Sequence, residues 1–174
     1  PVTDAIAGKA EIQQLIVSQE ERITHDILSP LKLSYADVVT ETSFPLLYQE
    51  GDNSETSNIA PLITDAIYAY LNKHDASGAD IVLFPAGMIR DNIEPGKTGK
   101  QSVADRFRVV CLGSGNDEHP GYPLARVYVT GKELKGILEI LYLAPSKSPD
   151  NYMYYAGLRA TYNSGKGLFK KITS

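Results

Sequence analysis

Residues 83–94, Leu-Phe-Pro-Ala-Gly-Met-Ile-Arg-Asp-Asn-Ile-Glu, constrain this chain most strongly. An apolar run of strand type enters a glycine turn that delivers one arginine, Arg90. Upstream lies the most regular helical pattern in the sequence. Ile59, Leu62, Ile63, Ala66, Ile67 and Tyr70 recur at the spacing of one helix face. Ser57 or Asn58 supplies the N-cap, and Pro61 is tolerated because first-turn amides have no intrahelical partner. The pattern fades at Asn72-Lys73-His74-Asp75, and Ser77-Gly78 turns the chain into a strand, Ala79–Phe84. A strand that ends on such a loop sets a cation and a few backbone amides in front of an anion. Gly87 with positive φ would aim successive amides at one point, and Arg90 adds a bidentate fork for phosphate or carboxylate. The residues alone leave a second reading open, in which Arg90 only pairs with Asp91 or Glu94.

The remaining elements are read in the same way. Residues 3–28 favour a helix with a narrow apolar stripe (Ile12, Ile16, Ile23, Ile27), of the kind that crosses a surface or connects two domains, and Ser29-Pro30 ends it. Ser34–Tyr48 has β character, and Gln49–Ser57 is a polar loop. Glu94-Pro95-Gly96-Lys97 reads as a turn. Residues 103–112 fit a short helix or a strand, and 113–123 a polar loop. Leu124–Val129 alternates as a strand. Thr130-Gly-Lys-Glu133 forms a capping box before Leu134, Ile137, Leu138 and Leu141. Tyr154–Tyr162 is expected as a strand, and Gly165-Lys-Gly167 as a turn into a last short one. Helices and strands mix without strict βαβ alternation, which gives an α+β (mixed α/β) fold, a mixed sheet flanked by helices in three layers at most.

Several classes are disfavoured. The 174 residues suit one domain plus a connecting element. A formal charge of −4 with no basic stripe argues against a nucleic-acid polymer as partner. No apolar run reaches the roughly 18 residues of a membrane span. The chain opens at Pro1 without methionine, which leaves room for a removed signal peptide. Cys111, among Val109, Val110 and Leu112, reads as a buried inert thiol. Gly115-Asn116-Asp117-Glu118-His119 places two carboxylates and an imidazole in five residues, but successive loop residues rarely converge on one ion, and a solvated loop is preferred. His25 and His74 read as surface residues. No Gly-x-Ser-x-Gly elbow and no complete P-loop is present. No catalytic residue and no metal ligand is therefore assigned to this chain.

Five segments in order resemble the C-terminal domain of the 5′-nucleotidase/UDP-sugar hydrolase/2′,3′-cyclic phosphodiesterase family. Ser57-Asn-Ile-Ala-Pro-Leu-Ile-Thr-Asp-Ala66 is similar to its Thr-Asn-x-Gly-Asn-Leu-Ile-x-Asp-Ala helix, and Ala86-Gly-Met-Ile-Arg90 to its Gly-Gly-Gly-Ile-Arg loop. Val109-Val-Cys-Leu-Gly113 stands where the family has a Pro-Phe-Gly turn. Thr130-Gly-Lys-Glu-Leu134 and Gly157-Leu-Arg-Ala-Thr-Tyr162 match two further motifs. The likeness spans residues 34–169.

The resemblance implies a binding module, residues 31–174, preceded by an interdomain connector helix over 1–30. It implies that a separate N-terminal metallophosphatase domain carries two divalent metal ions and performs hydrolysis, and that this chain needs no cofactor of its own. Its ligand would be a nucleotide or nucleoside held by Arg90 and Gly87, with Asn58 capping the adjacent helix and Leu112 and Gly113 lining the base pocket. Family analogy implies a periplasmic or extracellular location and a domain truncated at its C-terminal end. The departures are specific. Ala86 and Met88 replace loop glycines, Pro85 replaces a polar residue, and Leu112 replaces a stacking phenylalanine, forfeiting roughly 1–3 kcal/mol of base stacking. A degenerate module serving protein contact or dimerisation is the alternative, because an apolar loop suits a contact surface.

Overall fold

The computed structural model describes residues 7–48, 57–110, 113–116, 121–143 and 152–174. Helix α1 runs over Ala10–Ile23 and continues through a π turn, Thr24–Leu28, and a 3-10 turn, Ser29–Leu31. The π turn has a local cause. The Thr24 carbonyl accepts from both the backbone amide and the hydroxyl (2.8 Å) of Ser29, five residues on, and its hydroxyl accepts from the Tyr35 amide (3.0 Å). Pro30 sits inside the 3-10 turn, and the chain reverses at Lys32 with φ +58°. α1 buries none of its residues, and Ile12 and Ile16 of its apolar stripe are exposed. No helix among the described residues is long and apolar enough to cross a membrane.

Two small antiparallel ladders organise the body. β1 (Val38–Glu41) pairs with β3 (Lys100–Ser102), with a bulge between Val38 and Thr40. β2 (Val82–Pro85) pairs with β4 (Met153–Ala156) in the register Val82↔Ala156 to Pro85↔Met153. Helix α2 (Ile59–His74) packs across the second ladder, and Leu46, Ile59, Ala60, Phe84, Ala86, Ile89, Ile93, Val109 and Tyr154 share one buried cluster. An isolated bridge between Leu46 and Ile93 closes its far side.

The buried face of α2 is rotated from the one its apolar spacing predicts. Leu62 and Tyr70 are exposed, whereas Thr64 is fully buried with Ile59 and Ala60. The Thr64 hydroxyl donates to the carbonyls of Ala60 and Pro61, both at 3.0 Å, so its one polar group is satisfied within the helix and the methyl packs as a hydrophobe. Of the two expected caps, Ser57 serves and Asn58 does not. The Ser57 hydroxyl accepts from the Ala60 amide (3.3 Å), and Asn58 makes no side-chain cap. Asn58 instead grips the incoming chain, accepting from the Leu47 amide (2.6 Å) and donating to the Pro45 carbonyl (3.1 Å).

Residues 103–112 resolve as helix α3 (Val103–Val110) as far as they are described. Ser102 and Asp105 bond each other reciprocally at its start: the Ser102 amide and hydroxyl donate to the Asp105 carboxylate at 2.8 Å, and the Asp105 amide returns to the Ser102 hydroxyl. Those bonds, the amide first, hold the Asp105 carboxyl below its usual range. Helix α4 (Gly131–Leu141) begins with the expected box between Thr130 and Glu133.

Two expected strands differ. Tyr154–Tyr162 is ladder only to Ala156, because Gly157 takes φ +77° and turns the chain away; Tyr162 forms an isolated bridge with Ile172. Leu124–Val129 forms no strand, and its apolar side chains are exposed, Tyr128 to 86 %. Its fixed point is Arg126, which binds Asp75 and the Ser77 hydroxyl at 2.5 Å and the Gly78 carbonyl at 3.0 Å, pinning the segment to the turn between α2 and β2. The Ser77 hydroxyl and amide, then Arg126, hold the Asp75 carboxyl down to about 2. Because this pKa is depressed, the clamp is fully present above the ordinary carboxylate value and is lost as pH falls toward 2. In a pH titration followed by NMR, the Gly78 and Arg126 signals are expected to hold steady above about pH 5 and to move together below pH 4. Movement centred near pH 4 would mean that the clamp does not form in solution.

Candidate functional site

The turn that carries Arg90 is built from buried neighbours. Ala86–Met88 is a single 3-10 turn, closed by the Ile89 amide donating to Ala86 (2.9 Å) and tied to the body by the Ala86 amide donating to Tyr152 (2.8 Å). Ala86 and Ile89 lie in the core, and Met88 packs against it. Arg90 follows as the first exposed residue, and its backbone amide donates to the Val109 carbonyl at the end of α3 (2.8 Å). The Arg90 backbone is therefore held by its own amide and by the closed turn before it, while its side chain reaches solvent.

Among the described residues, Arg90 has no carboxylate partner. Asp91, the neighbour that could have neutralised it, instead pairs with Arg108 Nε at 3.0 Å and accepts from the Asn92 amide at 2.8 Å. The Arg90 guanidinium donates from Nη1 to the Gly87 carbonyl (3.3 Å). Gly87 differs from the sequence expectation: it is not among the glycines with positive φ, so it contributes a carbonyl that steadies Arg90 and not a left-handed array of amides. Pro85 and Met88, expected as an apolar contact surface, are half-buried in β2 and against the core.

Leu112 lies outside the described residues, as do Cys111, Asp117, Glu118 and His119. Gly113 is described and has φ +69°. A methyl group there would overlap the ring of Tyr122, which lies directly on the Gly113 backbone, and the Gly121 amide donates to the Gly113 carbonyl (3.0 Å). Tyr122 is therefore an exposed ring held against the segment expected to line the base pocket. The sequence signal for it was the pairing of a positive-φ glycine with an aromatic across a short loop, which has no fixed spacing. On α3, Arg106 Nε is buried without a hydrogen-bond partner, and burial pushes that guanidinium below the usual arginine range. Asn58, by contrast, has both ends of its amide engaged with residues 45–47.

Among the described residues no three His, Cys, Asp or Glu side chains converge in a way that could hold a metal ion. A shallow recess lined by Glu41, Thr42, Ser43, Gly96, Thr98 and Gly99 opens at the end of β1 and contains none of the candidate ligand-binding residues.

Comparison with curated proteins gives no match. Among solved structures, that of a 5′-nucleotidase precursor from Thermus thermophilus matches with a TM-score of 0.55 at 18% identity, covering 94% of this chain and 28% of that one. At that identity the likeness is one of fold, and this chain spans little more than a quarter of the larger protein. Residues 35–174 match the family described as the 5′-nucleotidase C-terminal domain. The α+β architecture and the sequence match agree, and this chain belongs to the 5′-nucleotidase C-terminal-domain family.

Proposed function

We propose that residues 31–174 are the substrate-recognition domain of a 5′-nucleotidase-type metallophosphoesterase, that α1 connects it to a catalytic domain, and that the parent protein hydrolyses phosphate esters of nucleotides outside the cytoplasm. The observation that carries this reading is Arg90: an exposed cation whose backbone amide is bonded to Val109 and whose adjacent acid is committed to Arg108. The described side chains of this domain do not fit a dinuclear metal centre, so no step of hydrolysis is assigned to them. The two divalent ions belong to the N-terminal metallophosphatase domain in this proposal, where they would supply the attacking hydroxide. This domain's own work is to hold the nucleotide. Arg90 receives an anionic oxygen, and Tyr122, lying on Gly113, offers the ring face that Leu112 does not.

Calorimetric titration of the chain with AMP, adenosine and phosphate tests the assignment. Arg90→Ala is expected to weaken AMP binding by about 10- to 100-fold and to leave adenosine unchanged, because a charge-assisted bond to phosphate is lost. Tyr122→Ala is expected to weaken both ligands by about 5- to 100-fold. Identical AMP affinity in the wild type and Arg90→Ala, with folding intact, would remove the proposal. A second reading, protein contact without nucleotide binding, draws on the exposed Leu124, Val127, Tyr128 and Val129. It predicts no heat with any of the three ligands.

A further inference from the structure

A second surface of the molecule lies apart from the residues assigned above to nucleotide binding. Thr161–Ser174 folds as a hairpin: the Thr173 amide donates to Thr161 (2.9 Å), the Asn163 amide to Lys171 (2.8 Å), and Tyr162 bridges Ile172. Its base is anchored to α4, where buried Glu139 accepts from the Ile172 amide (2.7 Å) and Tyr142 stacks on Tyr162 at 4.8 Å. A firmly held stalk therefore presents its tip. That tip is closed by the Lys170 amide donating to Gly167 (3.0 Å) and carries Leu168 and Phe169 outward, 62 % and 55 % exposed.

Packing within the fold does not account for this pair. Phe169 has φ +57°, a left-handed conformation that bulky residues seldom adopt, and it gains little burial there. The charge of this segment is one-sided. Residues 152–174 contain Arg159, Lys166, Lys170 and Lys171 and no Asp or Glu, within a chain whose formal net charge is −4. Lys171 rests near the Tyr162 ring, 5.7 Å from its centroid, while Lys166 and Lys170 flank the apolar pair in sequence.

We propose that this tip docks on an anionic phospholipid surface, with Leu168 and Phe169 entering the headgroup layer and Lys166 and Lys170 meeting the lipid phosphates. The charge selects a negative partner, since the rest of the chain is acidic. The shape favours a lipid layer over a folded acidic protein. Two adjacent apolar side chains at the end of a narrow hairpin can sink into a soft layer, but they offer far less area than a stable protein interface buries.

The chain contains no tryptophan, so Phe169→Trp makes a single fluorescent reporter at the tip. With vesicles of phosphatidylcholine plus phosphatidylserine its emission is expected to shift to the blue, and with phosphatidylcholine alone to stay unchanged. In co-sedimentation of the full chain, Lys166→Ala and Lys170→Ala are each expected to weaken binding about fivefold. The exposed double variant Leu168→Ser/Phe169→Ser, its fold checked by circular dichroism, is expected to lose binding. The proposal is overturned by a failure to bind phosphatidylserine vesicles, by binding that survives in the double variant, or by equal binding to both lipid mixtures. It is overturned equally if soluble polyglutamate captures the wild type and the double variant alike, which would assign the tip to an acidic polypeptide.

Discussion

Gly157→Ala is expected to lower the midpoint of thermal unfolding by roughly 5–15 °C, from a loss of about 2–4 kcal/mol in a chain of this length. Gly157 follows the last ladder residue of β4 and has φ +77°, where an alanine is strained by about 1 kcal/mol before any contact is considered. Contact adds more. A methyl group would overlap the Asp80 carbonyl oxygen and approach Tyr68 Cε2 to 2.6 Å. The Asp80 carbonyl is main chain two residues before β2, so it can retreat only by moving the start of the β2–β4 ladder, on which α2 packs. Tyr68 lies on α2, so strain at one position reaches three elements. Gly136, inside α4 with nothing within 4 Å of its would-be Cβ, is the matched comparison, and Gly136→Ala should leave the midpoint unchanged or raise it slightly. Circular dichroism melts of the two variants decide the matter. A Gly157→Ala midpoint within about 2 °C of wild type would show that the turn relaxes freely.

The parts of the fold legible in the sequence were those fixed by short-range chemistry. Thr130 and Glu133 announce α4 because a capping box satisfies two amides at a defined spacing, and α2 follows from a sustained apolar period. The start of α3 carried a similar signal that the reading of 103–112 as helix or strand did not use: Ser102 and Asp105 stand at the same three-residue spacing and bond each other. What spacing could not fix was which polar residues are satisfied inside. Thr64 is buried through bonds to its own helix, which turns α2 away from its most apolar side. At the site, the position of Arg90 was legible from strand, glycine and arginine. Whether Asp91 would neutralise it was not, because the answer depends on Arg108, on another element. Leu124–Val129 shows the converse limit. Alternation marks a segment fit for a ladder, but a ladder also needs a neighbouring strand, and Arg126 ties this one to the turn after α2 without it.

Glu139 is expected to be the residue that keeps the C-terminal hairpin on the body. On α4 it is 3 % exposed while its neighbour Ile140 is 58 % exposed, the reverse of what their side chains suggest. The inversion follows from the Ile172 amide, which donates to Glu139 Oε1 at 2.7 Å in a setting where Ile172 is itself buried. Glu139→Ala leaves that N–H without an acceptor and out of water, a loss of about 1–3 kcal/mol. Glu139→Gln keeps an oxygen of the same reach and should cost much less. The loss is expected to be local at first, because the hairpin's other tether is the stack of Tyr162 on Tyr142 and the buried cluster around Ile59 lies elsewhere. Hydrogen exchange at Ile172 and Thr173 should therefore accelerate by about 5- to 150-fold in Glu139→Ala, with amides of α2 unchanged. Adding Tyr162→Ala should release the hairpin altogether and take the lipid-facing tip out of its fixed position. If Glu139→Gln opens the hairpin as fully as Glu139→Ala does, an acceptor at that position is not what holds it, and the anchoring role belongs to the tyrosine stack.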